Sequence, residues 1–158
     1  MTQETAKKPE FYKLINKNKK AYFDYEVLEK IEAGIKLTGA EVKSVKESRV
    51  QLKGSYVKVR NGKVVVENMH ITAYRYGNQK DDYNPLHDRL LLVKKEEVEL
   101  IADKTAEKGL TVIPLEIYQK NSLIKLLIGI CRGKKVFDKR HIIKEREVNR
   151  QINRSIKQ

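Results

Sequence analysis

Among its 158 residues the chain has one cysteine, Cys131, and no tryptophan. A single thiol excludes an internal disulfide and fits a reducing cytoplasm. Cys131 lies in the apolar run LLIGIC, where a small buried hydrophobe is the expected role. No apolar run approaches the ~18 residues of a membrane span. The first twenty residues lack the apolar centre of a signal peptide. A cytoplasmic protein with no membrane partner is therefore expected. The three histidines, His70, His87 and His141, are scattered. None pairs with another at metal spacing, and one cysteine cannot build a zinc knuckle. No Gly-rich phosphate loop is present. No cofactor, no metal and no catalytic site are expected. The enzyme-class alternative is a metal-dependent nuclease built on Asp81, Asp82, His87 and Asp88, which share one loop. Adjacent acids in a hydrophilic loop are ordinarily just solvated, so a binder is the better reading.

What the chain has in excess is positive charge. Thirty-four Lys/Arg face 21 acids, for a net charge of +13 and a pI near 9.7. That balance points to nucleic acid in preference to an anionic membrane. Residues 132–158 concentrate it, with ten Lys/Arg against three acids, a net +7. Helical spacing there sets Val148, Ile152 and Ile156 on one narrow stripe. Arg146, Arg150, Arg154 and Lys157 fall roughly opposite. The stripe is thinner than the ~100° face of a docked surface helix, and an isolated helix of this length is marginal in water. The expectation is a basic tail, disordered when free and helical on a polyanion.

The rest fits one domain. Residues 1–13 are polar and are expected to be a flexible terminus. Asn16–Lys20 is a basic lead-in beside the aromatic cluster AYFDY. Residues 25–37 alternate and read as a long strand, bulged around Ala33-Gly34. Residues 41–46 fit one or two helical turns. Asn61-Gly62 between the alternating runs 55–60 and 63–67 is a strong signal for a type I′ hairpin. The second run is expected to continue through 69–71. Residues 73–88 read as a loop, in which interleaved Tyr and Arg can stack on bases or pack the loop down. Residues 94–109 read as a helix ended by Gly109. Residues 110–117 and 122–130 read as strands joined by the loop YQKN, with Pro114 at an edge or a bulge. The sum is a mainly β body over 14–131. A closed oligonucleotide-binding barrel with one or two short-to-medium helices is expected, followed by the tail at 132–158.

The motifs also run in a familiar order. Asn18-Lys19-Lys20-Ala21, Asp24-Tyr25-Glu26, Glu32-Ala33-Gly34-Ile35 and residues 37–44 (LTGAEVKS) come first. Gly54-Ser55-Tyr56-Val57, Asn68-Met69-His70-Ile71 and Arg89 before Leu91-Leu92 follow. Lys108-Gly109-Leu110-Thr111, Tyr118-Gln119-Lys120-Asn121, Gly133-Lys134-Lys135, Asp138-Lys139-Arg140 and Ile143-Lys144-Glu145-Arg146 close the series. Over residues 14–158 this resembles the SsrA-binding protein family, also called small protein B. The resemblance implies a non-enzymatic bacterial protein of trans-translation. It would bind the tRNA-like domain of transfer-messenger RNA one-to-one as a monomer and enter ribosomes stalled without a stop codon. That RNA, charged with alanine, is carried by elongation factor Tu, and the tail lies in the empty mRNA path. Carried over by motif, the RNA-binding residues would be Asn18, Lys19, Lys20, Glu32, Lys43, Arg89, Leu92, Lys94, Lys134 and Lys135. The ribosome-binding residues would be Phe137, Asp138, Lys139, Arg140, Lys144, Arg146, Arg150 and Arg154. The chain departs from the family pattern at Arg89-Leu90, where a basic pair is usual, at His87, where Arg is common, and at Ser155-Ile156-Lys157. A ribosomal protein whose arm threads rRNA permanently is the structural alternative.

Overall fold

In a computed structural model, residues 10–77 and 82–156 are described, the side chains of Val136, Phe137 and Asp138 excepted. The element order is β1 (Tyr12–Lys17), α1 (Lys19–Asp24), β2 (Tyr25–Ile35), α2 (Gly39–Lys46), β3 (Val50–Gln51), β4 (Tyr56–Arg60) and β5 (Lys63–Glu67). It continues with β6 (His70–Ile71), β7 (Arg89–Leu92), α3 (Lys95–Ala106), β8 (Leu110–Lys120), β9 (Leu123–Gly133) and α4 (Val136–Ile156). Seven strands form one antiparallel sheet in the order β1-β8-β9-β2-β7-β5-β4, and β3 pairs with β6 apart from it. Alternation drives the sheet. Ile31 and Ala33 of β2, Val112 and Ile117 of β8, and Ile124, Leu126, Ile128 and Ile130 of β9 turn inward. Val57, Val64, Val66, Leu91 and Ile101 of α3 join them in one core. Each such aliphatic side chain contributes about 1.5–3 kcal/mol on burial.

Local chemistry explains most boundaries. Asn61 and Gly62 both hold positive φ (51° and 75°), as a type I′ turn between β4 and β5 requires. Thr38 and Glu41 close a capping box on α2. Pro114 stands at a register shift in β8, where its missing N–H breaks no ladder.

Several expectations are corrected. The ordered chain starts earlier than residue 14, because Tyr12 and Lys13 already pair with Lys120 and Gln119; residues 1–9 lie outside the described residues. The bulge of β2 falls between Val27 and Glu29, not at Ala33-Gly34. Gly34 instead permits a close approach, since a Cβ there would sit 3.3 Å from Leu92 Cβ. The loop YQKN shrinks to a turn at Asn121-Ser122, because β8 and β9 pair as far as Lys120 and Leu123. Residues 70–71 do not extend β5, since Asn68 at φ 61° turns the chain away.

The sheet is mainly antiparallel β with four helices. Its edges are β1 and β4; β4 folds over against β8, and no ladder joins the two edges among the described residues. The tail differs from the expected free-state disorder: residues 136–156 form a single helix. Its anchoring on α1, described below, supplies what an isolated helix lacks.

Candidate nucleic-acid interface

Asn18 organises the N-terminal side of the interface, and it does so from inside. Its Oδ1 accepts from the Ala21 N–H at 3.1 Å, which caps α1. Its Nδ2 donates to the carbonyls of Pro114 (2.9 Å) and Leu52 (3.3 Å). Its backbone N–H donates to Leu115 O at 2.7 Å. The residue is 5% exposed, so it is a brace and not the RNA-facing group expected. The bulge at Pro114 is what frees these carbonyls from the ladder. With Asn18 fixed, α1 lies on the outer side of the sheet, and Ala21 buries against Ile113, Leu115 and Cys131. Burial there pushes the Cys131 thiol up to about 11, as befits a small hydrophobe. Lys19 and Lys20 are left exposed at the helix surface. Replacing Asn18 by Ala removes a cap (about 1 kcal/mol) and strips two buried carbonyls of their donor. A loss of about 2–4 kcal/mol in denaturant unfolding is expected. A direct RNA contact would leave stability untouched.

Glu32 sits on the same outer face, farther along β2. Tyr118 of β8 donates its hydroxyl to the Glu32 carboxylate, and Lys120 Nζ stands 3.7 Å from it. The Tyr118 hydrogen bond holds the Glu32 carboxyl below its ordinary range; slight burial opposes this, and Lys120 and Lys125 add to it. Burial, then the Glu32 bond and charge, push the Tyr118 hydroxyl up. Tyr12 of β1 packs on Tyr118 with ring centroids 5.1 Å apart. One strand pair away, Tyr22 of α1 donates to Glu116 at 3.2 Å, with Lys17 Nζ 4.8 Å and Lys30 Nζ 5.8 Å from its ring centre. Burial, then Glu116, raise Tyr22 to about 12. Both phenols therefore stay protonated donors at neutral pH. A face of tyrosines and lysines carrying an ionised acid can stack bases, neutralise phosphates and accept from base amino groups or a 2′-OH.

Leu92 and Lys94 belong with Glu32. Leu92 pairs with Gly34, which lies two residues after Glu32 and so on the same face, and Leu92 is 59% exposed. Lys94 is exposed at the N-cap of α3, where its backbone N–H donates to Glu97 at 3.1 Å.

Arg89 does not belong with them. Its side chain is fully buried. Nε donates to Glu41 at 2.6 Å, one terminal nitrogen to Met69 O at 2.6 Å, and the other to Pro85 O and Tyr83 Oη. His87 and Tyr83 also reach Glu41, at 3.0 and 3.2 Å. The expected RNA contact is thus the hub of a buried network that fastens residues 83–89 to α2. The departure at His87 gains a role here. Of the groups considered for a nuclease, Asp88 is paired with Arg60 at 2.7 Å and His87 is bound to Glu41, while Asp81 lies outside the described residues.

The basic tail meets the body at α1. Lys134 N–H donates to Asp24 O at 2.9 Å and its Nζ to Tyr22 O at 3.0 Å, where the negative end of α1 favours a cation. Lys139 Nζ stands 3.3 Å from Asp24, and the Arg146 guanidinium lies 5.6 Å from the centre of Phe23. Lys135, Arg140, Lys144, Arg150 and Arg154 are exposed; so are Val148, Ile152 and Ile156. The side chains of Phe137 and Asp138 lie outside the described set. Lys43 stands apart on α2, its Nζ 5.3 Å over Tyr74. Sequence reasoning missed Tyr12, Tyr22, Tyr118, Lys17, Lys30, Lys120 and Lys125. The alternation Glu116, Tyr118, Lys120 was their one local signal.

Fold and face together define a nucleic-acid-binding β protein with a basic helical arm. Comparison with known proteins narrows this. Residues 15–158 match the family described as SmpB protein. An SsrA-binding protein of Treponema denticola is 45% identical over 145 residues, 92% of this chain and 94% of that protein. One of Ligilactobacillus salivarius is 47% identical over 140 residues, 89% of this chain and 90% of that protein. A solved structure described as "tmRNA-SmpB: a journey to the center of the bacterial ribosome" superposes with a TM-score of 0.65 at 39% identity, covering 77% of this chain and 85% of that one. The chain belongs to the SmpB family of SsrA-binding proteins. Among the described residues no helix is long and apolar enough to cross a membrane.

Proposed function

We infer that the protein is the RNA-binding adaptor of bacterial trans-translation. It binds the tRNA-like domain of transfer-messenger RNA and brings that RNA to stalled ribosomes for rescue and peptide tagging. It acts in the cytoplasm as a monomer, performs no chemistry, and meets elongation factor Tu only through the alanine-charged RNA. The observation that carries this reading is α4. Six Lys/Arg and three apolar side chains of a 21-residue helix face solvent from a body whose outer face is itself basic and aromatic. A helix so uncovered is built to be covered by a polyanion.

The outer face behaves as the binding side of an oligonucleotide-binding barrel. Glu32, held ionised and oriented by Tyr118, reads donors on the RNA. Leu92 packs against sugar or base edges, and Lys19, Lys20, Lys94 and Lys135 meet phosphates. In the mRNA path Lys144, Arg150 and Arg154 take rRNA phosphates, and Phe137-Asp138-Lys139-Arg140 lie at the decoding centre. Away from its α1 anchor the helix is marginal, and rRNA phosphates fix its outer turns.

The test is fluorescence anisotropy with labelled tRNA-like domain, ordinary tRNA as competitor, and a salt series. Binding that survives competition and keeps a salt-resistant part supports the adaptor. Equal competition with loss of binding at high salt leaves only a basic RNA binder. In the same assay Glu32→Ala weakens binding about tenfold, the cost of roughly one charge-assisted hydrogen bond. Tyr118→Phe weakens it less, and the far-UV spectrum is unchanged in both.

A further inference from the structure

A second aromatic and basic surface lies at α2 and the turn 74–77, off the outer sheet face. Tyr76 is 78% exposed, and its ring meets Tyr74 edge-on with centroids 5.8 Å apart. That geometry leaves a face of Tyr76 open. Lys43 lies over Tyr74, and Arg75 and Lys46 are exposed nearby in sequence.

The turn is held, not loose. Gly77 N–H donates to Tyr74 O at 3.2 Å, and Gly77 rests against Ala40 of α2, so close that an added Cβ would lie 3.5 Å from Ala40 Cβ. Its stem is fixed at Thr72, whose N–H donates to Arg49 O at 3.1 Å, and at Ile71, whose N–H donates to Pro85 O. Below that, Tyr83 donates to Ile71 O within the Arg89–Glu41 network. The buried ion pair thus supports an exposed aromatic. Hydrophobic burial does not explain Tyr76, because the ring covers nothing large. A rigid ring beside cations has the chemistry to stack an unpaired base while the cations hold its flanking phosphates.

We propose that Tyr76, with Lys43 and Arg75, forms a second RNA contact that stacks an unpaired base of the transfer-messenger RNA bound on the outer face. This rests on the chain being that RNA's adaptor. Two separated contacts on one folded RNA select its shape, because both are satisfied only when the RNA presents its bases at the right spacing.

The test uses full-length protein and labelled tRNA-like domain. Tyr76→Ala weakens binding about tenfold, the loss of one stacked base, and Tyr76→Trp restores it. Lys43→Gln lowers the slope of log affinity against log salt by about one. Tyr76 is exposed, so the unfolding midpoint stays put. Glu32→Ala is the control. If it weakens binding and Tyr76→Ala does not, the second contact is wrong and the adaptor reading stands. If the wild type fails to prefer this RNA over tRNA, the adaptor reading itself fails. If Tyr76→Ala spares RNA binding but weakens ribosome association, the surface faces rRNA and the assignment to transfer-messenger RNA is overturned.

Discussion

Cutting the chain after Lys135 leaves binding to the tRNA-like domain within a few-fold of the full chain and abolishes peptide tagging on stalled ribosomes. The site of the cut matters. Gly133 pairs with Tyr25 in the sheet, and Lys134 closes the end of α1 with two hydrogen bonds. A cut before Gly133 would damage the body and confuse the two functions. After Lys135, the outer face, α1 and the core are intact. What is lost with the body is one partly exposed ion pair, Lys139–Asp24, and one cation–π contact, Arg146–Phe23, each worth on the order of 1 kcal/mol or less. What is lost on the ribosome is every cation from Lys139 to Lys157. Anisotropy on the RNA and tagging in reconstituted translation read the two arms separately. Parallel loss of both would show that tail and body act as one unit and would refute the division of labour.

Arg89→Ala lowers the unfolding midpoint by about 6–20 °C. Breaking a buried ion pair by removing one partner costs about 3–5 kcal/mol, and each kcal/mol moves a domain of this size by about 2–4 °C. The loss is large because Arg89 also satisfies the carbonyls of Met69 and Pro85 and leaves Glu41, 1% exposed, without its cation. Arg89→Lys does not rescue fully, since one ammonium cannot span the fork's four partners. Burial pushes the Glu41 carboxyl up, but the Thr38 N–H, Arg89 and His87 together outweigh it and hold the group below its ordinary value of 4.5. A carboxyl depressed in the fold contributes stability above its unfolded pKa and loses it as pH falls through the folded one. The wild type therefore loses this stability below pH 4.5, whereas Glu41→Gln is less stable at neutral pH and flatter in acid. Thermal melts across pH check both. An unshifted midpoint for Arg89→Ala would mean that the arginine is free to face RNA after all.

These two results bear on how much of the site was legible beforehand. The motif around Arg89 was matched correctly, yet its side chain points inward. Nothing in Arg89-Leu90-Leu91-Leu92 says which alternate positions are buried. The answer comes from register against Val66 and Leu91's pairing with Val64 and Ile35. Asn18 is similar. As the residue before Lys19 it could be a cap or a contact, and Leu52 and Pro114 settle it from 34 and 96 residues away. Glu32, Leu92 and Lys94 fared better, because alternation alone puts Glu32 outward and Leu92 is exposed beside it.

The sequence by itself determined the features that arise within a few residues of one another. These are the Asn61-Gly62 hairpin, the capping box of α2, the extent of α3, the long strands β2, β8 and β9, the helical period of the tail and the excess of positive charge. Backbone conformation, side-chain alternation and charge count are properties of short windows. The tertiary structure alone decided the rest. It made a strand of Tyr12–Lys17 by laying it on β8, a partner more than a hundred residues away. It made a helix of six residues at α1 by bringing Leu52 and Pro114 to Asn18. It buried Arg89 because Glu41 was waiting there, and it seated the tail on Asp24 and Phe23. A polar side chain is buried when distant groups satisfy it, and that condition is not written in its own neighbourhood.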